Sequence, residues 1–142
     1  MQDRISKDEY YLKIAEAASL RSSCCRAKVG AVIVKGEHLF TGFNDSLPKF
    51  KHCTNDNSCL FKGHCIRTTH AEVNAIVRAL KVINNLNGAK IYSTHKPCYS
   101  CTKMLAAFGI MDIVYVNDYD DEFSDAYINL VGMNVKKVYF SK

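Results

Sequence analysis

The chain has 142 residues, 48% of them hydrophobic, with 19 lysines and arginines against 14 acids and a formal net charge of +5. That length and composition suit one soluble domain over 1–142, leave no room for two, and contain no apolar run near the ~20 residues of a membrane span. The basic residues are scattered, with no run longer than Lys136-Lys137, so the charge suits an anionic ligand but argues against a nucleic-acid face.

The N-terminus, MQDRISKDEY, carries acids early with no apolar segment behind it. It is therefore not a signal peptide, and a cytoplasmic protein is expected. Ser6 with Glu9 three residues later reads as a capping box. Tyr10, Tyr11, Ile14, Ala17 and Ala18 follow at helical spacing. AKVGAVIVK (27–35) is short and β-branched, EHLFTGF (37–43) alternates, and Lys35-Gly36 between them predicts a hairpin.

Residues 44–66 are irregular and rich in Asn, Asp, Cys and His, and a loop of this length needs something to pin it. A second helix is predicted over 70–84. A strand at AKIYST (89–94), a helix from Pro97 to Phe108 and a strand at DIVYV (112–116) come next. A short helix around SDAYINLVG (124–132) and a strand at VKKVYF (135–140) complete the chain. Strands alternating with helices after the hairpin imply βαβ units. The expected fold is a three-layer α/β/α domain, a five-stranded mixed sheet, largely parallel beyond the hairpin, flanked by helices.

Seven cysteines, Cys24, Cys25, Cys53, Cys59, Cys65, Cys98 and Cys101, are many for a reducing compartment, where they point to metal or catalysis rather than disulfides. In HKPCYSC (95–101), Pro97 suits the first position of a helix, which puts Cys98 and Cys101 on one face of its first turn. A helix N-terminus favours the thiolates that a zinc ion needs. A lone C-x-x-C could instead be a redox pair, the lesser of the two readings. In THAEVNAI (69–76), however, His70 opens the preceding helix and supplies a third ligand.

Three protein ligands with one open position is the arrangement of catalytic zinc, whereas structural zinc is closed by four. Water at the open position has its pKa lowered toward ~7. Glu72, two residues beyond His70, does not share its side of a regular helix and is left to act as general acid and base. H-x-E followed by P-C-x-x-C is the signature of zinc nucleobase deaminases.

RSSCCRAKVGAVIV, TGFN, HCTNDNSC, GHCIRTTHAEVNAI, IYSTHKPCYSC and NDY make the chain resemble bacterial and phage deoxycytidylate (dCMP) deaminases, including the late-competence-operon type. The likeness runs from about residue 5 to 140. It implies a cytidine-deaminase-like fold, hydrolysis of dCMP to dUMP for thymidylate synthesis, and a homo-oligomer, a hexamer or trimer. It implies that His70, Cys98 and Cys101 bind catalytic zinc and that Glu72 shuttles protons. Asn44 would hold the deoxyribose or base, and Ala71 N–H would face the pyrimidine carbonyl. Tyr119 and Arg26 would meet the 5′-phosphate. A second, structural zinc on Cys24, Cys53, Cys59 and Cys65 would pin the long loop, with His52 and His64 as adjacent alternatives and Cys25 left over.

Regulated members respond to dCTP and dTTP, and they typically place glycine after the asparagine. Here the run is NDSLPKF, and Asp45 would repel a triphosphate effector unless Mg²⁺ intervened. Arg78 and Lys81 are the basic pair available to such a site. The rivals are a tRNA adenosine deaminase, a free-nucleoside cytidine deaminase and a two-zinc binding module without catalysis. The cysteine-rich loop, THKPC and the lack of a basic strand-binding surface weigh against the RNA enzyme.

Overall fold

A computed structural model describes residues 3–49, 51–53 and 60–140. Ser6 caps the first helix, α1 (Lys7–Ser19), its hydroxyl accepting from Glu9 N at 3.1 Å as the capping box requires. The buried apolar side chains of α1 are Leu12 and Ala15, whereas Tyr10 and Ala17 are exposed. Tyr11 and Ile14 of the expected stripe do pack against this cluster, so the buried face overlaps that stripe but is rotated away from Tyr10 and Ala17. Periodicity fixed a helix but not which stripe of it meets the sheet.

The hairpin forms as predicted from β1 (Gly30–Lys35) and β2 (His38–Phe43), with Lys35 opposite His38 and Gly36 at φ 59° in the turn. Beyond it lie α2 (Ala71–Leu80), β3 (Lys90–His95), α3 (Tyr99–Ala107), β4 (Asp112–Asn117), α4 (Glu122–Val131) and β5 (Asn134–Lys137). The five strands form one sheet in the order β2-β1-β3-β4-β5. β1 is antiparallel to both β2 and β3, while β3/β4 and β4/β5 are parallel. The sheet is thus mixed, with its parallel half confined to the βαβ units. Within the predicted loop, Asp45–Ser46 pairs with Thr68–Thr69, and Leu60–Phe61 pairs with His64–Cys65.

Pleating sorts the core into two layers. Ala31, Ile33, Ile91 and Ile113 face Ala71, Ala75, Ile76 and Leu105, with Tyr127 and Ile128 of α4 against the same cluster. Val32, Tyr92 and Val114 face Leu12 and Ala15 of α1. One helix therefore covers one face and three cover the other, which is the expected three-layer arrangement. No helix among the described residues is long and apolar enough to cross a membrane.

Two glycines bring helix backbone directly onto the sheet. A Cβ on Gly30 would lie 1.8 Å from Ala15 O, and one on Gly42 would lie 2.3 Å from Ala71 O and 2.4 Å from Ala75 N. Gly42 therefore sets how closely the first turn of α2 approaches β2. Gly42→Ala is expected to cost about 1–3 kcal/mol in chemical denaturation, as overpacking does, and to push His70 and Glu72 out of place.

Asp8 ties the start of α1 to the sheet. It accepts from Tyr92 OH at 3.2 Å and Lys136 Nζ at 3.0 Å, with Lys90 Nζ at 3.6 Å. Burial alone would raise its carboxyl, but these partners hold it below the usual carboxylate range. A depressed folded value means the unfolded chain binds more protons, so the stabilisation is complete above ~3.9 and is lost as pH falls through the folded value. Denaturation measured from about pH 6 down to 2 should show a flatter acid limb in Asp8→Asn than in the unaltered protein.

Candidate functional site

The carboxyl ends of β2, β3 and β4 and the start of β1 meet at one edge of the sheet, where the N-termini of α2 and α3 also converge. His70 is the N-cap of α2 and Cys98 the N-cap of α3. Neither side chain makes a capping hydrogen bond. The structure thus moves Cys98 from the expected first turn to the cap, because Pro97 lies just outside the helix. Cys101 is then the third helical residue, and cap and third-residue side chains are the neighbours that a capping box brings together.

His70 Nδ1 lies 3.3 Å from Cys101 Sγ and 3.6 Å from Cys98 Sγ, and all three atoms fall within 4.8 Å of one another. Nitrogen and sulfur ligands bound tetrahedrally to one zinc ion stand roughly 3.6 Å apart, so the three side chains fit that ion. Their chemistry fits as well. Hydrogen bonding from Cys101 and His70 holds the Cys98 thiol well below its usual range, whereas the Cys98 thiolate and burial push Cys101 up. Cys98 also raises the His70 imidazole. Two thiols this close lose both protons only when a cation joins them.

Glu72 is buried behind this set, at 4% exposure, and its Oε1 accepts from Ser93 Oγ of β3 at 3.3 Å. Burial raises its carboxyl above the ordinary range, against the pull of the backbone N–H of its own turn and of His70. Burial thus favours the protonated form of a carboxyl group that stands beside the ligand set.

His70, Glu72 and Cys98 line a cavity of ≈ 330 Å³, whose walls also include Arg26, Asn44, Ala71 and Tyr119. Every expected substrate residue thus faces one space. Asn44 does more than line it. Its Oδ1 accepts from Val29 N at 2.8 Å and its Nδ2 donates to Ala27 O at 2.7 Å, which fixes the amide orientation and staples residues 27–29 to the end of β2. Arg78 is turned elsewhere, donating to Thr41 O and Oγ1 and lying over the Phe43 ring.

A second thiol group stands beside the same cavity, whose walls include Cys24 and Cys65. Cys24, Cys53 and Cys65 have their sulfurs within 4.8 Å of one another, with Cys53 and Cys65 3.4 Å apart. Two sulfurs on one zinc lie roughly 3.8 Å apart, so this group also fits a metal. Arg26 N donates to Cys24 Sγ and Thr68 Oγ1 to Cys65 Sγ. The structure brings in Cys24 and leaves the exposed His52 and His64 outside the set. Cys59 lies outside the described residues.

Asp121, which sequence reasoning missed, caps two helices at once. Its Oδ1 accepts from Ser124 N of α4 at 3.1 Å, and its Oδ2 from Tyr99 N of α3 at 2.8 Å. Thr102 and Ser124, both fully buried, bond to each other at 2.9 Å and to Pro97 O, closing the joint beneath Cys98. A lone Asp before a helix carries no signal for its second duty.

Residues 5–117 match the family described as the cytidine and deoxycytidylate deaminase zinc-binding region. The chain belongs to this family. It is 35% identical over 138 residues to ComE operon protein 2 of Bacillus subtilis, covering 96% of this chain and 73% of that one. It is 37% identical over 121 residues to the deoxycytidylate deaminase of Mycobacterium phage D29, covering 76% of this chain and 92% of the phage protein. Among solved structures it is similar to the dCMP deaminase of cyanophage S-TIM5 in complex with dCMP and dUMP. That match has a TM-score of 0.80 and 31% identity, over 95% of this chain and all of the other.

Asp121→Ala removes two caps in one step. Loss of a cap costs about 0.5–2 kcal/mol, so its denaturation midpoint should fall by more than that of Asp121→Asn, whose single carbonyl oxygen can still serve one helix.

Proposed function

We propose that the chain, as one domain over 1–142, is a zinc-dependent hydrolase that converts dCMP and water to dUMP and ammonia. The observation that carries this reading is Glu72. Its carboxyl is buried directly behind the His70–Cys98–Cys101 set, at the foot of a cavity large enough for a nucleotide. The names of its relatives support the same substrate.

His70, Cys98 and Cys101 would hold the ion. When bound, zinc supplies a Lewis acid that makes a water molecule acidic at neutral pH. Glu72 takes the proton of the attacking water on a carboxylate oxygen. It delivers that proton to the ring nitrogen N3, and a later one to the departing amine, as C4–O forms and C4–N breaks. Ser93 holds Oε1 in position meanwhile. Ala71, at the uncapped start of α2, offers its N–H to the pyrimidine carbonyl. Asn44 shapes the sugar side, and Tyr119 and Arg26 meet the 5′-phosphate.

The Cys24, Cys53 and Cys65 group, completed by Cys59, would bind a second, structural zinc that orders the loop ahead of α2. A cytoplasmic homo-oligomer, a hexamer or trimer, is part of the same reading. Control by dCTP and dTTP through Mg²⁺ finds little support, because Asp45 accepts from Ser23 Oγ and Ser46 N and Arg78 is bonded to Thr41.

Ammonia release from dCMP, CMP, deoxycytidine and tRNA tests the substrate, and dCMP should be the fastest. Glu72→Gln should keep its zinc and lose at least about 10²-fold in kcat. Elemental analysis should find two zinc ions per chain. Near-normal turnover by Glu72→Gln would remove the proton shuttle, and a single ion in protein never exposed to chelator would remove the structural site.

A further inference from the structure

We propose that His95 is a substrate-binding residue that presents a fixed N–H, on Nε2, to an acceptor atom of the nucleoside half of the nucleotide. The inference rests on the dCMP reading above and adds a residue that helps decide which pyrimidine nucleotides fit.

The ring is oriented by a short relay across the sheet. Gly30 N donates to Thr94 Oγ1 at 3.1 Å, and Thr94 Oγ1 lies 2.9 Å from His95 Nδ1. Thr94 is only 5% exposed, and its hydroxyl has no other partner among the described residues. If Nδ1 carried the imidazole proton, the hydroxyl would accept twice and its own hydrogen would be buried without an acceptor, which is costly. The satisfied arrangement has Thr94 donating to Nδ1, which leaves the imidazole proton on Nε2. Burial lowers the His95 imidazole, which keeps this single-proton form in place at neutral pH.

Among the described residues nothing bonds Nε2, while the half-buried side chain lines the same cavity as His70, Glu72 and Cys98. Alternation along β3 places His95 on the face of Ser93, whose hydroxyl reaches Glu72. The free N–H therefore stands on the side of the sheet where the ring reacts. A donor there favours ligands with an acceptor opposite it, and leaves unpaired a ligand that presents another donor.

Long-range ¹⁵N–¹H NMR on the zinc-loaded, full-length protein should show His95 protonated on Nε2, and that nitrogen should shift on addition of dUMP or deoxyuridine. His95→Phe keeps a ring and removes the donor. Its KM for dCMP should rise roughly three- to tenfold, more than kcat falls, with zinc retained. His95→Gln, whose amide N–H reaches the Nε2 position, should recover most of the loss. A proton on Nδ1, an unchanged KM in His95→Phe, or a shift with dUMP but none with deoxyuridine would overturn the assignment. The NMR measurements use the unaltered chain, so a variant that fails to fold does not shield the idea. Zinc-loaded protein that leaves dCMP untouched would instead sink the dCMP reading, since the tautomer is read without turnover.

Discussion

The site depends on two helices whose starts are held close together with their cap positions given over to other work. N-caps are ordinarily Ser, Thr, Asp or Asn, whose oxygens satisfy the first free N–H groups. Here His70 and Cys98 occupy those positions, and their side chains turn toward each other and Cys101. The helices must be stabilised in another way. For α2 it is close packing on Gly42, and for α3 it is the Asp121 carboxylate together with the buried Thr102–Ser124 hydroxyl pair.

That arrangement sets the electrostatics. The His70 nitrogen and the two sulfurs, within 4.8 Å of one another, form a donor set that is self-repelling once both thiols are deprotonated, and so it suits a cation. Glu72 sits one layer deeper, against Ser93 on the central strand, where burial discourages its charge. The cavity above it is walled by residues from the ends of several strands, so the sheet's rigidity becomes the precision of the site.

Much of this was legible in the sequence. Each of the nine principal elements was anticipated, and His70, Cys98, Cys101 and Glu72 were marked by residue type and spacing around two helix starts. What stayed hidden depends on contacts between distant segments. The stripe of α1 that meets the sheet is only partly legible: Tyr11 and Ile14 pack there as expected, but its centre, Leu12 and Ala15, is chosen by Val32 and Tyr92 rather than by local periodicity. Pro97 suggests a helix starting two residues too soon, since proline is equally at home just ahead of a cap. The resemblance alone assigns Cys24 rather than its neighbour Cys25 to the second site, and it takes the fold to bring Cys24 to Cys53 and Cys65. Asp121 has no motif, and His95, although it opens HKPCYSC, has no role there that the sequence marks; they matter because α4 arrives beside one and Thr94, tied to the Gly30 backbone, orients the other.

The double duty of Asp121 also bears on motion. Proteins open in cooperative units rather than residue by residue, and a carboxylate shared by two helices welds their ends into one such unit. Fraying at the start of α4 releases Tyr99 N at the same moment, so the Cys98–Cys101 turn loosens with it. The stretch that follows β4 is therefore no passive connection, but a latch on the Cys98–Cys101 turn.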